Sequence, residues 1–144
     1  MGVFVDPLLN FEDHINASVK KAKRMSGLIM HTINYKSKTI MIPLFKSLVR
    51  PIIEYGNAVW CPHLRKHVNL IESVQRLFTK CIIGTKHEER LKFLGLPSLE
   101  FRRFRGDLIE TYKICKGVYD PATTSSLFVT NSSDRTRTNG LKLT

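Results

Sequence analysis

Basic side chains at helical spacing are the feature of this sequence best suited to a chemical task. Within the stretch 90–114 and just beyond it, Arg102, Arg105, Lys113 and Lys116 fall on one side of an expected helix. The acidic residues of the same helix fall on its other side, at Glu100, Asp107 and Glu110. A helix face with one sign of charge is typical of contact with a polyanion, such as the phosphates of a nucleic acid.

The charge of the whole chain points to the same class of partner. The chain has 23 Lys plus Arg against 12 Asp plus Glu, which gives a formal charge of +11. A membrane surface is also anionic, so charge alone leaves that alternative open. The other reading is an ordinary solvated helix face, with Arg103 paired to Asp107 one turn later. We predict that nine side chains contact phosphates: Lys20, Lys21, Arg24, Arg76, Lys80, Arg102, Arg103, Arg105 and Lys113.

Thiol and imidazole groups between residues 61 and 67 are candidates for metal binding. Cys61, His63 and His67 lie close together in the sequence, and such groups are the usual ligands of zinc. A closed zinc site needs four ligands, however, and Cys81 and His87 have no motif-like spacing from the first three. The alternative is a loop cysteine with two polar residues at the start of a helix. We therefore expect no metal site.

No set of residues has the pattern of a catalytic site. Cys81 and Cys115 fall on apolar helix faces, where a thiol behaves as a small hydrophobic group rather than as a nucleophile. His14 and His31 fit helix-surface or packing positions better than the role of a base. The glycines are scattered, so no phosphate-binding loop is indicated. We expect no catalytic residue in the chain.

The cysteines and the hydropathy pattern favour an intracellular protein. Three cysteines, at widely spaced positions, argue against a disulfide framework. No apolar run of about 18 residues could span a bilayer, and the N-terminus lacks the pattern of a signal peptide. We expect no membrane partner, and the choice between nucleus and cytoplasm stays open.

Helices must position these side chains, and the apolar periodicity predicts about four principal ones in a single domain. Pro51 lies inside the second helix and should kink or divide it. Trp60 should anchor the packing between helices. The expected helices run from an Asn10 N-cap to before Lys36, over 39–55, over 66–83 with Gly84 as a left-handed C-cap, and from a Ser98 N-cap to about Lys116.

These helices define the expected fold. The fold class is all-α, a small bundle with a disordered C-terminal tail over residues 121–144, where Ser, Thr and Asn predominate. A short helical turn around 88–93 should precede the last helix. Glu54 is expected to pair with Arg50 one turn earlier, and Tyr55 should fill space between helices.

Several blocks of this sequence share order and spacing with a known family. The blocks read LVRPIIEY at 48–55, VWCP at 59–62, IESVQR at 71–76 and RLKFLGLPSLEFRRFRGDLIETYKI at 90–114. In this order they resemble the region that follows the palm in non-LTR (LINE-type, jockey-like) retrotransposon reverse transcriptases.

Two further blocks extend the resemblance toward both ends of the chain. GVFVD at 2–6 is similar to the sequence where the family's palm meets its thumb. TRTNGLKL at 136–143 resembles a later family block, in which Thr138 and Asn139 replace the usual Gly-His pair.

The resemblance implies a helical thumb and post-thumb region that binds template-primer nucleic acid through its phosphate backbone. Residues 1–9 would be a remnant of the palm-to-thumb junction, 10–120 a thumb-like helical domain, and 121–144 a flexible tail. The parent enzyme is an RNA-directed DNA polymerase that uses Mg²⁺ held by palm carboxylates. No two adjacent Asp residues occur in this chain, so we expect a non-catalytic fragment, truncated at both ends and without its own cofactor.

The expected partner is therefore an RNA/DNA hybrid or another nucleic-acid duplex. The alternative, from a different class, is a structural or protein-interaction helical remnant without nucleic-acid binding. Such a remnant would expose an apolar patch and self-associate through it.

Overall fold

The chain folds into α-helices, and the computed structural model describes residues 2–119. No strand occurs among those residues, so the predicted all-α fold is confirmed. The predicted disordered tail at 121–144 and the family-like block at 136–143 lie outside the described residues. The helices are α1 (Glu12–Thr32), α2 (Lys38–Leu44), a π-helical turn (Phe45–Val49), α3 (Arg50–Glu54), α4 (Arg65–Lys80), α5 (His87–Leu94) and α6 (Leu99–Cys115).

The chain divides into two compact units, the first ending at Phe104 and the second beginning at Arg105. The first unit contains α1 to α5 and the start of α6. Its core is formed by apolar faces of α1, the π-helical turn, α3 and α4, which pack against one another. The most deeply buried large side chains include Trp60, Phe45, Phe78, Ile15 and Met41.

Trp60 anchors the packing between helices, as the sequence predicts. Its ring is buried, and its indole N–H donates a hydrogen bond of 2.8 Å to the carbonyl of Tyr55. The edge of the ring meets His14 of α1, with 4.9 Å between the ring centroids. A buried tryptophan needs a partner for its N–H, and the turn after α3 supplies one.

Helix α1 does not begin where the sequence predicts. Phe11, rather than Asn10, precedes the first helical residue, and its backbone is left-handed with a φ of 53°. The Asn10 backbone N–H donates to the Asp6 carboxylate at 2.7 Å, so Asn10 lies in the turn that precedes the helix. The turn formed by Asp6 therefore delays the helix, and the predicted Asn10 cap is wrong.

Pro51 divides the second helical region, as the sequence predicts. The five residues before Arg50 form a wide π-helical turn, and the Arg50 N–H bonds to the carbonyl of Phe45, five residues earlier. Proline has no N–H to offer the preceding turn, and its ring crowds the carbonyl four residues before it. A π-helical turn absorbs that mismatch without ending the helical path.

Helix α5 ends at a left-handed glycine, whereas α4 does not. The predicted Gly84 cap is wrong: α4 already ends at Lys80, and Gly84 is not among the glycines with positive φ. Gly95 takes the left-handed conformation instead, with a φ of 66°, and the Leu96 N–H bonds to the carbonyl of Leu91 at 3.0 Å. This is the Schellman arrangement, with the usual leucine contact beside it.

Ser98 begins α6, as the sequence predicts. Its hydroxyl accepts a hydrogen bond of 3.2 Å from the N–H of Phe101. This bond satisfies one of the N–H groups that a helix leaves without an intrahelical partner.

Candidate nucleic-acid interface

Helix α1 presents cationic side chains to solvent. Lys20, Lys21 and Arg24 are exposed, whereas Val19 and Ala22 on the opposite side are buried in the core. Lys20 and Arg24 lie one helical turn apart, and within residues 2–119 neither forms an ion pair. These two positive charges are therefore available to an anionic partner.

Helix α4 adds a second pair of cations on the same unit. Arg76 and Lys80 are exposed and one turn apart, on the side away from buried Val74 and Phe78. Neither takes part in an ion pair within the described part of the chain. Because α1 and α4 pack together, both pairs are held by one core.

Arg102 is already engaged with a carboxylate. Its Nε and Nη2 donate to Glu54 at 2.6 and 2.9 Å, a bidentate pair that joins the start of α6 to α3. This hydrogen bond raises the pKa of Arg102. The predicted pairing of Glu54 with Arg50 is wrong, since Glu54 turns to Arg102. The Arg50 guanidinium instead lies over the Phe45 ring, 5.9 Å from its centroid.

Arg103 lies inside the first unit rather than on its surface. Only 5% of the residue is exposed, and its Nε and Nη2 have no hydrogen-bond partner within the described residues. Burial lowers the pKa of its guanidinium, and the nearby charge of Glu54 and Glu72 acts in the opposite direction. In this structure, Arg103 does not reach a phosphate at the surface.

The register of α6 explains the position of Arg103. Leu99 and Arg103 are four residues apart and both are buried, so they mark the inward side of the helix in the first unit. Phe101 and Phe104, which share the face that looks most apolar in the sequence, are exposed instead. Hydrophobic periodicity alone selects the wrong side of this helix.

The two remaining predicted residues belong to the second unit. Arg105 is exposed. Lys113 donates to Glu110 at 2.8 Å, and this bond raises the pKa of the Lys113 amine. The Glu110 carboxylate also accepts the hydroxyl of Tyr119. Lys113 is thus partly neutralised, whereas Arg105 keeps its charge at the surface.

Polar side chains on the inner face of α4 link the family-like sequence blocks at 71–76 and 90–114 by hydrogen bonds. The buried Glu72 carboxylate accepts from His87 Nε2 and from the backbone N–H of Leu99, both at 3.0 Å. One helical turn later, the Gln75 amide donates to the carbonyl of Pro97 at 3.0 Å. Glu72 thereby joins α4 to α5 and to the first turn of α6.

Thr79 and Arg90 continue this polar row. Arg90 is buried, and its Nε donates to the Thr79 hydroxyl at 3.3 Å while Nη1 donates to the carbonyl of Thr85. Glu72, Gln75 and Thr79 follow one another at steps of three and four residues, the spacing of a single helix face. The sequence could have indicated this buried row by that spacing, because it places the three polar residues on the same helix face as core residues of α4.

The cysteine and histidine residues after α3 do not converge. Cys61 and His63 are exposed, whereas His67 is buried with its Nε2 3.6 Å from the Glu12 carboxylate. Within residues 2–119, no group of three or more His, Cys, Asp and Glu side chains is arranged to hold a metal ion.

Comparisons with known proteins leave the family of the chain open. No protein family matches the chain, and no solved structure matches it. The chain is 23% identical over 133 residues to an uncharacterized protein of Caenorhabditis elegans, an alignment that covers 88% of this chain and 67% of that protein. Among the described helices, none is long and apolar enough to cross a membrane.

Proposed function

We propose that this chain is a thumb-like helical region of a LINE-type reverse transcriptase, which binds template-primer nucleic acid through its phosphate backbone. Exposed cations on α1 and α4 that form no ion pair among residues 2–119 carry this proposal: Lys20, Arg24, Arg76 and Lys80. Contacts of this kind position a nucleic acid without reading its sequence. In the proposed role, the chain binds a nucleic-acid duplex and does not catalyse a reaction.

The buried and paired arginines take a different part in the proposal. Arg102 holds Glu54, and Arg103 lies in the interior. Arg102 thereby joins the start of α6 to α3, within the unit that presents the cations of α1 and α4. Phosphate binding therefore rests on Lys20, Arg24, Arg76 and Lys80 in the first unit, and on Arg105 in the second.

The experiment is a titration of a labelled RNA/DNA hybrid with the full chain, followed by fluorescence anisotropy at several salt concentrations. On duplex DNA, each phosphate that a protein neutralises contributes a slope of roughly −0.9 to the logarithm of the affinity against the logarithm of salt, and we expect a similar dependence for the hybrid. We expect the double variant Lys20→Glu/Arg24→Glu to bind more weakly and to lose about two units of that slope, one for each contact.

A matched control separates a specific surface from net charge. Lys86→Glu/Lys92→Glu changes the charge of the chain by the same amount, at exposed positions before and within α5. We expect this control to retain nearly all of the binding. Equal losses in the two double variants would mean that only net charge attracts the hybrid, and the proposed surface would be wrong.

A second candidate function is a structural or protein-interaction module. The row Glu72, Gln75, Thr79 and Arg90 supports it, because the hydrogen bonds of these polar residues lie within the fold and join α4 to α5 and to the start of α6. Absence of hybrid binding at low salt, from a chain shown to be helical by circular dichroism, would favour this candidate.

A further inference from the structure

An apolar groove lies between the C-terminal half of α1 and the region where α2 meets the π-helical turn. Its volume is about 210 Å³. The only hydroxyl in its lining, that of Thr32, already donates to the carbonyl of Leu28 at 2.9 Å. The groove therefore offers an occupant no unsatisfied hydroxyl. The lining consists of Met25, Leu28, Ile29, Thr32, Ile33, Leu44 and Leu48.

The two walls of the groove expose leucines to solvent. Leu28 of α1 is 61% exposed, and Leu48 of the π-helical turn is 42% exposed. Apolar side chains on both walls give the groove a surface that apolar side chains of a partner can bury. Because the groove is recessed between two helical segments, an inserted side chain fits it better than a flat lipid surface would.

The chain segment that supplies both walls of the groove contains basic residues and no acidic ones. Both walls come from residues 14–53, a stretch that contains no Asp or Glu. Arg24 is exposed one helical turn before Leu28. An acidic occupant is therefore attracted, and a second copy of this chain would bring like charge. The stretch contains eight basic residues: Lys20, Lys21, Lys23, Arg24, Lys36, Lys38, Lys46 and Arg50.

We propose that this groove binds an acidic amphipathic helix of a partner protein. Helices that dock in grooves insert apolar side chains spaced three, four and seven residues apart. Leu28 and Leu48 contact those apolar side chains, and the Asp or Glu residues flanking them face the cations of α1. Complementary charge of this kind speeds association and excludes basic partners. The proposal does not depend on nucleic-acid binding, because the groove itself is apolar.

The first test compares two labelled synthetic peptides by fluorescence anisotropy with the full chain. Both are amphipathic helices with Leu at the three-, four- and seven-residue spacing. One carries Glu at its other surface positions, and the second carries Lys there. We expect saturable binding of the Glu peptide alone. Equal binding of both peptides would overturn the proposal, since it would reflect apolar adhesion without charge selection.

Substitutions then locate the binding site. Leu28→Gln replaces a largely exposed apolar side chain on α1, so the fold should tolerate it; circular dichroism checks this. We expect it to weaken binding of the Glu peptide by about tenfold, corresponding to loss of a buried leucine contact. The matched control is Leu77→Gln on α4, because Leu77 is 43% exposed and does not line the groove. An equal loss in both variants would overturn the groove as the site.

Two further measurements address other occupants of the groove. If the chain sediments as a dimer that Leu48→Gln converts to a monomer, the occupant is a second copy and the proposal fails. If the chain ignores the Glu peptide but binds phosphatidylserine vesicles in a manner that Leu28→Gln abolishes, the groove serves a membrane and the proposal also fails. Hybrid binding by Leu28→Gln, measured in parallel, should equal that of the unmodified chain.

Discussion

The carboxylate of Glu72 shows how one buried residue can fix the positions of three helices. It accepts from the His87 ring and from the Leu99 backbone, and its charge lies at the first turn of α6. A carboxylate at a helix N-terminus is favoured by the partial positive charge there. Its removal would leave the buried N–H of Leu99 without an acceptor, and that loss has a larger cost than the bond itself contributes.

We therefore expect Glu72→Ala to lower the free energy of unfolding by about 1–3 kcal/mol, the cost of an unsatisfied buried group. Urea denaturation followed by circular dichroism measures it. Asn69→Ala, at an exposed position on the same helix, should change stability by less than about 0.5 kcal/mol. Comparable effects at the two positions would show that the Glu72 contacts contribute little.

His14 makes the stability of the fold dependent on pH. Its ring is buried against Trp60, and its Nδ1 accepts the backbone N–H of Phe4 at 3.2 Å. Burial lowers the pKa of His14 below its ordinary value of 6.5. The folded state thus favours the neutral ring, so the unfolded chain binds the proton first as pH falls. Stability from this residue is complete above pH 6.5 and declines below it, until the folded pKa is passed.

The His14→Gln variant tests this dependence because the amide keeps an acceptor for Phe4 but does not titrate. We expect the urea midpoint of the unmodified chain to fall more between pH 7.5 and pH 5 than the midpoint of the variant. The two proteins are otherwise identical, so the difference between the two curves reports His14. Parallel curves would exclude the proposed role of the buried ring.

At the scale of elements, backbone conformation decides where the helices end. Gly95 and Gly27 make a clean comparison, since a Cβ at either position meets no atom within 4 Å. They differ in the backbone: Gly95 has a φ of 66° at the end of α5, whereas Gly27 lies inside α1. A left-handed backbone disfavours any residue with a Cβ, and a helix interior favours alanine.

We expect Gly95→Ala to destabilise the fold by about 1–2 kcal/mol and Gly27→Ala to stabilise it by about 0.8–1 kcal/mol. Urea midpoints of the two variants and the unmodified chain provide the measurement. Destabilisation by both substitutions would mean that α1 is packed more tightly around Gly27 than the open space beside it indicates.

On the scale of the whole molecule, sequence periodicity predicts the helices better than it predicts their faces. The all-α class, the interruption at Pro51, the Ser98 cap and the Trp60 anchor all follow from local chemistry. The side of α6 that faces inward does not follow from local chemistry. Contacts with the polar row on α4 and with Glu54 determine that Leu99 and Arg103 are the buried residues. Tertiary packing therefore determines which arginines remain at the surface, and the spacing of residues along one helix does not predict it.

The charge distribution of the first unit predicts an unusual response to salt. Surface ion pairs such as Arg65–Glu100 and Lys66–Glu12 are worth roughly 0–1 kcal/mol each and weaken as salt rises. Repulsion among the eight cations of residues 14–53, which contain no Asp or Glu, weakens as well. The cations outnumber the exposed pairs, and at about 0.15 M salt the screening length falls to about 8 Å. Relief of repulsion should therefore be the larger effect.

We expect the urea midpoint of the unmodified chain to rise between low and near-physiological salt. Lys20→Glu/Arg24→Glu lowers the formal charge from +11 by four, to +7, and should show a smaller rise because less repulsion remains to be screened. A midpoint that falls with salt would mean that the ion pairs dominate. In that case repulsion among the cations of α1 destabilises the fold little. Binding of an anionic partner would then not be needed to compensate for that repulsion.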